Sequence, residues 1–96
     1  MLNKSRLAFI AIFILILSVN SLFSGKNEAE TLWETGEKFF NEGRYKDAIN
    51  YYEKSLSKCY GDTECLMSNY NSIGLSYEQL GDNTKSLFYY EKGTCQ

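Results

Sequence analysis

Cys59 and Cys65 flank the short segment Tyr60-Gly61-Asp62-Thr63-Glu64, and Glu34 and Glu37 stand one helical turn apart. These are the residues whose types and spacing allow chemistry. Two thiols so spaced can close a disulfide or stay free. Two carboxylates a turn apart can share acid–base work, but they more often form a solvated helix face. The chain contains no His. This removes the commonest general base, the commonest metal ligand and every His-based triad. Three Cys with neither a His nor a C-x-x-C pair leave a zinc site incomplete. No Gly-rich phosphate loop and no nucleophile with a base partner is present. The reading is therefore no enzyme, no cofactor and no metal, with Glu34 and Glu37 on a water-facing surface.

Composition narrows the partners. Of the 96 residues, 10 are Lys or Arg and 12 are Asp or Glu. Setting aside Lys4 and Arg6, eight basic residues face twelve acidic ones, a net charge of −4 from Gly25 onward. The signs are interspersed, so no face concentrates the positive charge that nucleic acid requires. There is no Pro, which suits uninterrupted helices. Eight Tyr and six Phe favour a packed aromatic core over a disordered chain.

The first residues stand apart. Lys4 and Arg6 form a basic head, Leu7 to Leu17 is an unbroken apolar run, and Ser18, Asn20, Ser21 and Ser24 follow. This order fits a secretory signal peptide cleaved after Ser21 or Ser24. The alternative is an uncleaved anchor from Leu7 to Phe23, at the lower edge of spanning length. A run apolar on every side makes a poor soluble helix. Residues 1–24 are thus read as a hydrophobic signal or membrane-anchor helix. The basic head places residues 25–96 outside the cytoplasm, exported or membrane-anchored.

The remainder repeats itself. GEKFFNEGRYKDAINYYEK, Gly36 to Lys54, and GLSYEQLGDNTKSLFYYEK, Gly74 to Lys92, carry Gly, aromatic, Gly, small and Tyr residues at one offset of 38. In the first copy Leu32, Thr35, Gly36, Phe39 and Phe40 recur at steps of three and four, which predicts a helix over Glu28 to Asn41. Asn27 or Thr31 caps its start, and Gly43 ends it. Tyr45 to Lys58 forms the second helix, with Ala48, Ile49, Tyr52, Ser55 and Leu56 on one stripe. A link this short makes the two helices antiparallel. Gly36 and Ala48 are small where backbones approach, and Phe39 and Tyr52 fill the space beside them. The second copy repeats this with Tyr70, Ile73, Gly74 and Tyr77, a turn at Gly81, then Ser86, Leu87 and Tyr90. Asp82 or Asn83 caps its second helix.

This spacing resembles the tetratricopeptide repeat, a helical hairpin of about 34 residues with a W-x2-L-G-x2-Y…A-x3-F signature. Leu32, Gly36, Phe39, Gly43, Tyr45, Ala48, Tyr52 and Leu56 match one unit, and Tyr70, Ile73, Gly74, Tyr77, Gly81, Ser86 and Tyr90 a second. Thr35, Tyr60, Asn83 and Gly93 depart from the pattern. The resemblance implies an all-α fold, an α-solenoid of two antiparallel hairpins within residues 25–96, with units at 29–62 and 67–96. The longer offset inserts residues into SKCYGDTECLMSN, as an extra turn of helix or a longer loop. The link also sets Cys59 and Cys65 near two helix ends, where a disulfide competes with free thiols. Closing so short a loop contributes about 2 kcal/mol. Cys95 is left over for pairing between chains.

The resemblance also implies a function, which is binding protein or peptide segments along the first helix of each unit. By register these positions are Glu30, Trp33, Glu34, Glu37, Phe40 and Asn41, then Ser68, Asn71, Ser72, Leu75, Glu78 and Gln79. Trp33 lies off the packing stripe and is either an interface anchor or a residue packed on the N-terminal segment or the membrane surface. Chaperone-binding members of the family grip a carboxylate with Lys and Asn. Here Trp33 and Glu37 fill the relevant positions of the first unit, so a basic or apolar segment fits better than an acidic one. Solenoids need about three units to bury their faces. Two units leave Leu87 and Phe88, with Tyr89 or Tyr90, on an open end, which predicts a homo-oligomer, a partner that completes the stack, or a fragment of a longer protein.

Overall fold

The computed structural model describes residues 27–94; the segment read above as a signal or anchor, and Cys95, lie outside them. Four helices follow in order: α1 Glu28–Asn41, α2 Tyr45–Leu56, α3 Thr63–Gln79 and α4 Asn83–Thr94. α1 packs on α2, α4 on α3, and α2 on α3, which makes two hairpins stacked side by side. None of the described helices is long and apolar enough to cross a membrane.

Capping residues set the boundaries. Asn27 Oδ1 accepts from the Glu30 amide at 2.8 Å, Asp62 Oδ1 from the Cys65 amide at 3.0 Å, and Asp82 Oδ1 from the Lys85 amide at 3.1 Å. Each satisfies an amide that the helix leaves without a partner. Thr31 is not the cap; its hydroxyl donates back to the Asn27 carbonyl. α2 has no side-chain cap, and Arg44 pairs with Asp47 at its start. Both hairpin turns close alike. Gly43 N–H donates to Phe40 O and Arg44 N–H to Phe39 O; Gly81 N–H donates to Glu78 O and Asp82 N–H to Tyr77 O. This double bond pattern needs a left-handed residue after the helix, and Gly43 (φ 77°) and Gly81 (φ 82°) supply it.

The long link between hairpins resolves into both of the expected features. α3 has 17 residues against 14 in α1, so part of the insertion is an extra first turn. That turn carries Cys65. Its sulfur is bonded to that of Cys59, with Cα atoms 5.5 Å apart. α2 ends two residues before Lys58, and Tyr60 (φ 49°) and Gly61 (φ 82°) turn the chain in left-handed conformations.

Ala48, Ile49, Tyr52 and Ile73 form the buried centre, with Trp33, Phe39, Phe40, Tyr77 and Tyr89 packed against it. The glycines at 36 and 74 have steric reasons. A Cβ on Gly36 would lie 2.6 Å from Tyr52 Cε1, and one on Gly74 would lie 2.8 Å from Tyr90 Cδ1. Each hairpin also stacks a second aromatic pair. Phe39 lies on Tyr51 with centroids 5.2 Å apart, and Tyr77 on Tyr89 at 5.6 Å. Arg44 and Lys54 cover the outer faces of the first pair, and Lys85 covers Tyr77 of the second.

Candidate functional site

The first helices α1 and α3 meet along a polar seam. Trp33 Nε1–H donates to Ser72 Oγ at 3.1 Å, and Ser72 Oγ–H donates to Glu37 Oε1 at 3.5 Å. The same carboxylate oxygen accepts from the Tyr52 hydroxyl at 2.5 Å. Three helices are thereby joined through one carboxylate. Burial first, and then the Glu37 carboxylate, hold the Tyr52 hydroxyl well above its usual range, so it stays a donor. Glu37 is therefore committed to structure. The water-facing surface expected for the pair holds for Glu34, which is exposed, and not for Glu37, which is half-buried.

The other register positions divide. Glu30, Asn71, Leu75 and Glu78 are exposed, Leu75 at 40%. Asn71 turns toward α4; its Oδ1 would lie 2.7 Å from a Cβ on Gly93. Glu78 accepts from the Tyr90 hydroxyl at 2.8 Å. Trp33 differs from the expectation, because its ring is half-buried against the core rather than off the packing stripe. Its remaining surface lines the cavity described below. Phe40 is likewise half-buried, packed on the core and edge-on to Tyr45 of α2, with centroids 5.1 Å apart. Among the described residues, no three His, Cys, Asp or Glu side chains gather as a metal site would require.

A cavity of about 390 Å³ opens at the N-terminal ends of α1 and α3. Glu30, Trp33, Asp62, Glu64 and Ser68 line its walls. Ser55 and Asn69, both almost fully buried, form its floor. Ser55 Oγ–H donates to the Ala29 carbonyl at 2.6 Å, which ties α2 to α1. Asn69 Nδ2 donates to Ser55 Oγ at 2.9 Å and to the Cys65 carbonyl at 3.0 Å. Sequence reading missed both floor residues. Ser55 appeared only as a small residue on a stripe, and a polar residue at Asn69 gives no periodic signal.

The tetratricopeptide repeat pattern matches residues 29–57 and 68–94. The chain is also similar to the uncharacterized protein ycf37 of Guillardia theta, 28% identical over 109 aligned positions that cover 95% of this chain. It spans 61% of that protein's length. No solved structure matches the chain.

Proposed function

The chain belongs to the tetratricopeptide repeat family, and we propose that it acts as a non-catalytic module that binds a protein segment across α1 and α3. One observation carries this reading. Glu30, Glu34, Leu75 and Glu78 are exposed on the two first helices, beside a seam that Trp33, Ser72 and Glu37 hold rigid. A rigid groove loses little entropy when it binds an extended chain. Its carboxylates and Leu75 suit a basic or apolar segment. The basic head and apolar run near the N-terminus support a location outside the cytoplasm, either free after cleavage or anchored.

The test is a library of short peptides screened against the full chain. Basic and apolar sequences should be enriched over acidic ones, and Glu34→Lys with Leu75→Glu should abolish the enrichment. Equal binding of acidic peptides would defeat the charge assignment.

A second reading rests on α4, where Leu87 is 61% exposed and Phe88 51%. In it, copies of the chain stack end to end through this face. Phe88→Glu would then dissociate an oligomer seen by sedimentation and leave peptide binding intact. A chain that is monomeric before the substitution removes this reading.

A further inference from the structure

The 38-residue offset lets one unit report what the other lacks. Leu87 on α4 corresponds to Ile49 on α2. Ile49 is 7% exposed because α3 lies over it, with Ile73 in the same buried cluster. Leu87 has no such cover and is 61% exposed. Its neighbours at helical spacing along α4, Thr84, Phe88 and Glu91, are exposed as well, so the four form one open face. Phe88 meets Tyr89 edge-on, and Lys92 lies over its ring. A large aromatic fixed in place while exposed has the character of an interface anchor.

The internal joint shows why a head-to-tail stack does not fit this face. Such a stack would lay α1 of a second copy on α4 as α3 lies on α2. Asn69, Ile73 and Ser76 are buried on α3, and the matching positions of α1 are Thr31, Thr35 and Lys38. The stack would therefore put a threonine in place of Ile73. It would also bury the Lys38 ammonium where Ser76 is fully enclosed, which costs an unpaired charge. Phe88 would stay outside the joint, because it matches Asn50, which remains exposed beside the internal one.

We propose that α4 pairs with α4 of a second copy, antiparallel about a two-fold axis between Leu87 and Phe88. This rests on the stacking reading above and specifies its symmetry. Each Leu87 then meets the Phe88 of the second copy, so one contact covers all four apolar side chains. Each Glu91 lies against the first turn of the second copy's α4. The amides of that turn are partly positive, whereas the end of its own helix is negative, so the antiparallel order suits its charge. A two-fold contact closes on itself, and it uses none of the residues assigned to the groove.

The test is cysteine crosslinking of the full chain carrying Cys95→Ser, in a neutral detergent. Phe88→Cys alone should form covalent dimers on mild oxidation, since the axis brings this position near its own copy. A mixture of Thr35→Cys chains with Leu87→Cys chains should form no bond between the two sites. Sedimentation of the unsubstituted chain should show two copies. Phe88→Glu should weaken their association by about a hundredfold or more with helix content unchanged, and Lys38→Glu should not weaken it. Bonds between the Thr35→Cys and Leu87→Cys chains, with mass growing past two copies, would overturn the two-fold pairing and keep stacking. A monomer, or a dimer indifferent to Phe88→Glu, would overturn both.

Discussion

The ring of Tyr52 lies against the bare Cα of Gly36, and its hydroxyl reaches one residue further to bond Glu37. A large side chain on α2 thus uses two successive positions of α1, one for contact and one for a hydrogen bond. The second hairpin repeats only half of this. Gly74 again receives a tyrosine ring, but Leu75 stands where Glu37 would, and Tyr90 bonds Glu78 instead. The two glycines should therefore differ in tolerance.

Gly36→Ala would put a methyl 2.6 Å from Tyr52, which is fully buried and cannot retreat. Overpacking of about 1–3 kcal/mol opposes a helix-propensity gain of about 1 kcal/mol. The expected net loss is about 1 kcal/mol, or roughly 5 °C in Tm for a domain of this size. Gly74→Ala meets Tyr90 at 2.8 Å and the Ser86 carbonyl at 3.2 Å, and because Tyr90 is only half-buried it should cost less than Gly36→Ala. Thermal unfolding of the two variants side by side checks this order.

Tyr52→Phe deletes the donor to Glu37 and should cost about 1–2 kcal/mol at neutral pH. It should also change the alkaline limb. Burial raises the hydroxyl pKa of Tyr52, Tyr77, Tyr89 and Tyr90, and carboxylates such as Glu37 and Glu78 add to the effect. Above the unfolded value of about 10, the unfolded chain releases these protons while the folded chain keeps them. Stability is then fully present below pH 10 and falls as pH rises from there. The fall should be shallower in Tyr52→Phe. Denaturant midpoints at stepped pH, with tyrosinate absorbance as the second signal, measure it. Parallel slopes in the two proteins would contradict the assignment to Tyr52.

Much of this architecture is legible in the residues. Gly36 and Gly74, Gly43 and Gly81, Tyr52 and Tyr90 fix two hairpins, because each answers a local steric demand that recurs at one offset. The stacked pairs Phe39–Tyr51 and Tyr77–Tyr89 were hidden. Tyr51 and Tyr89 fall beside the stripe, and only tertiary contact gives them a role. Trp33 was misplaced for a related reason. Its position on α1 is open in a lone hairpin, and becomes a wall only when Ser72 of α3 arrives. The floor of the cavity was illegible, since Ser55 and Asn69 matter through hydrogen bonds across helices and not through periodicity.

Tyr60 holds a left-handed backbone (φ 49°) and is 83% exposed, so nothing around its ring repays the strain. Such a conformation costs an ordinary residue about 1–2 kcal/mol, and Asn tolerates it better. Tyr60→Asn should therefore raise stability by about 0.5–1 kcal/mol. Urea unfolding checks this through a shifted midpoint with an unchanged slope. A lowered midpoint would show that the tyrosine ring contributes more than its exposure suggests.

The bond between Cys59 and Cys65 closes a loop of six residues in sequence separation, so its effect on the unfolded chain is modest, about 2 kcal/mol. Its local effect should be larger. Asn69 donates to the Cys65 carbonyl and lies 3.5 Å from Cys59 Sγ, so the sulfur bridge and the cavity floor share one side chain. Freed by reduction, the first turn of α3 keeps the Asp62 cap and the Asn69 bond to the Cys65 carbonyl but loses its covalent tie to the end of the first hairpin. Hydrogen exchange should then accelerate at the amides of Cys65 and Leu66, while those of Ile73 and Gly74 in the same helix change only by the global loss. The Cys59→Ser with Cys65→Ser protein, measured without reductant, should match the reduced wild type. A uniform change along α3 would mean that the bridge acts through the unfolded chain alone, and that the floor of the cavity stands without it.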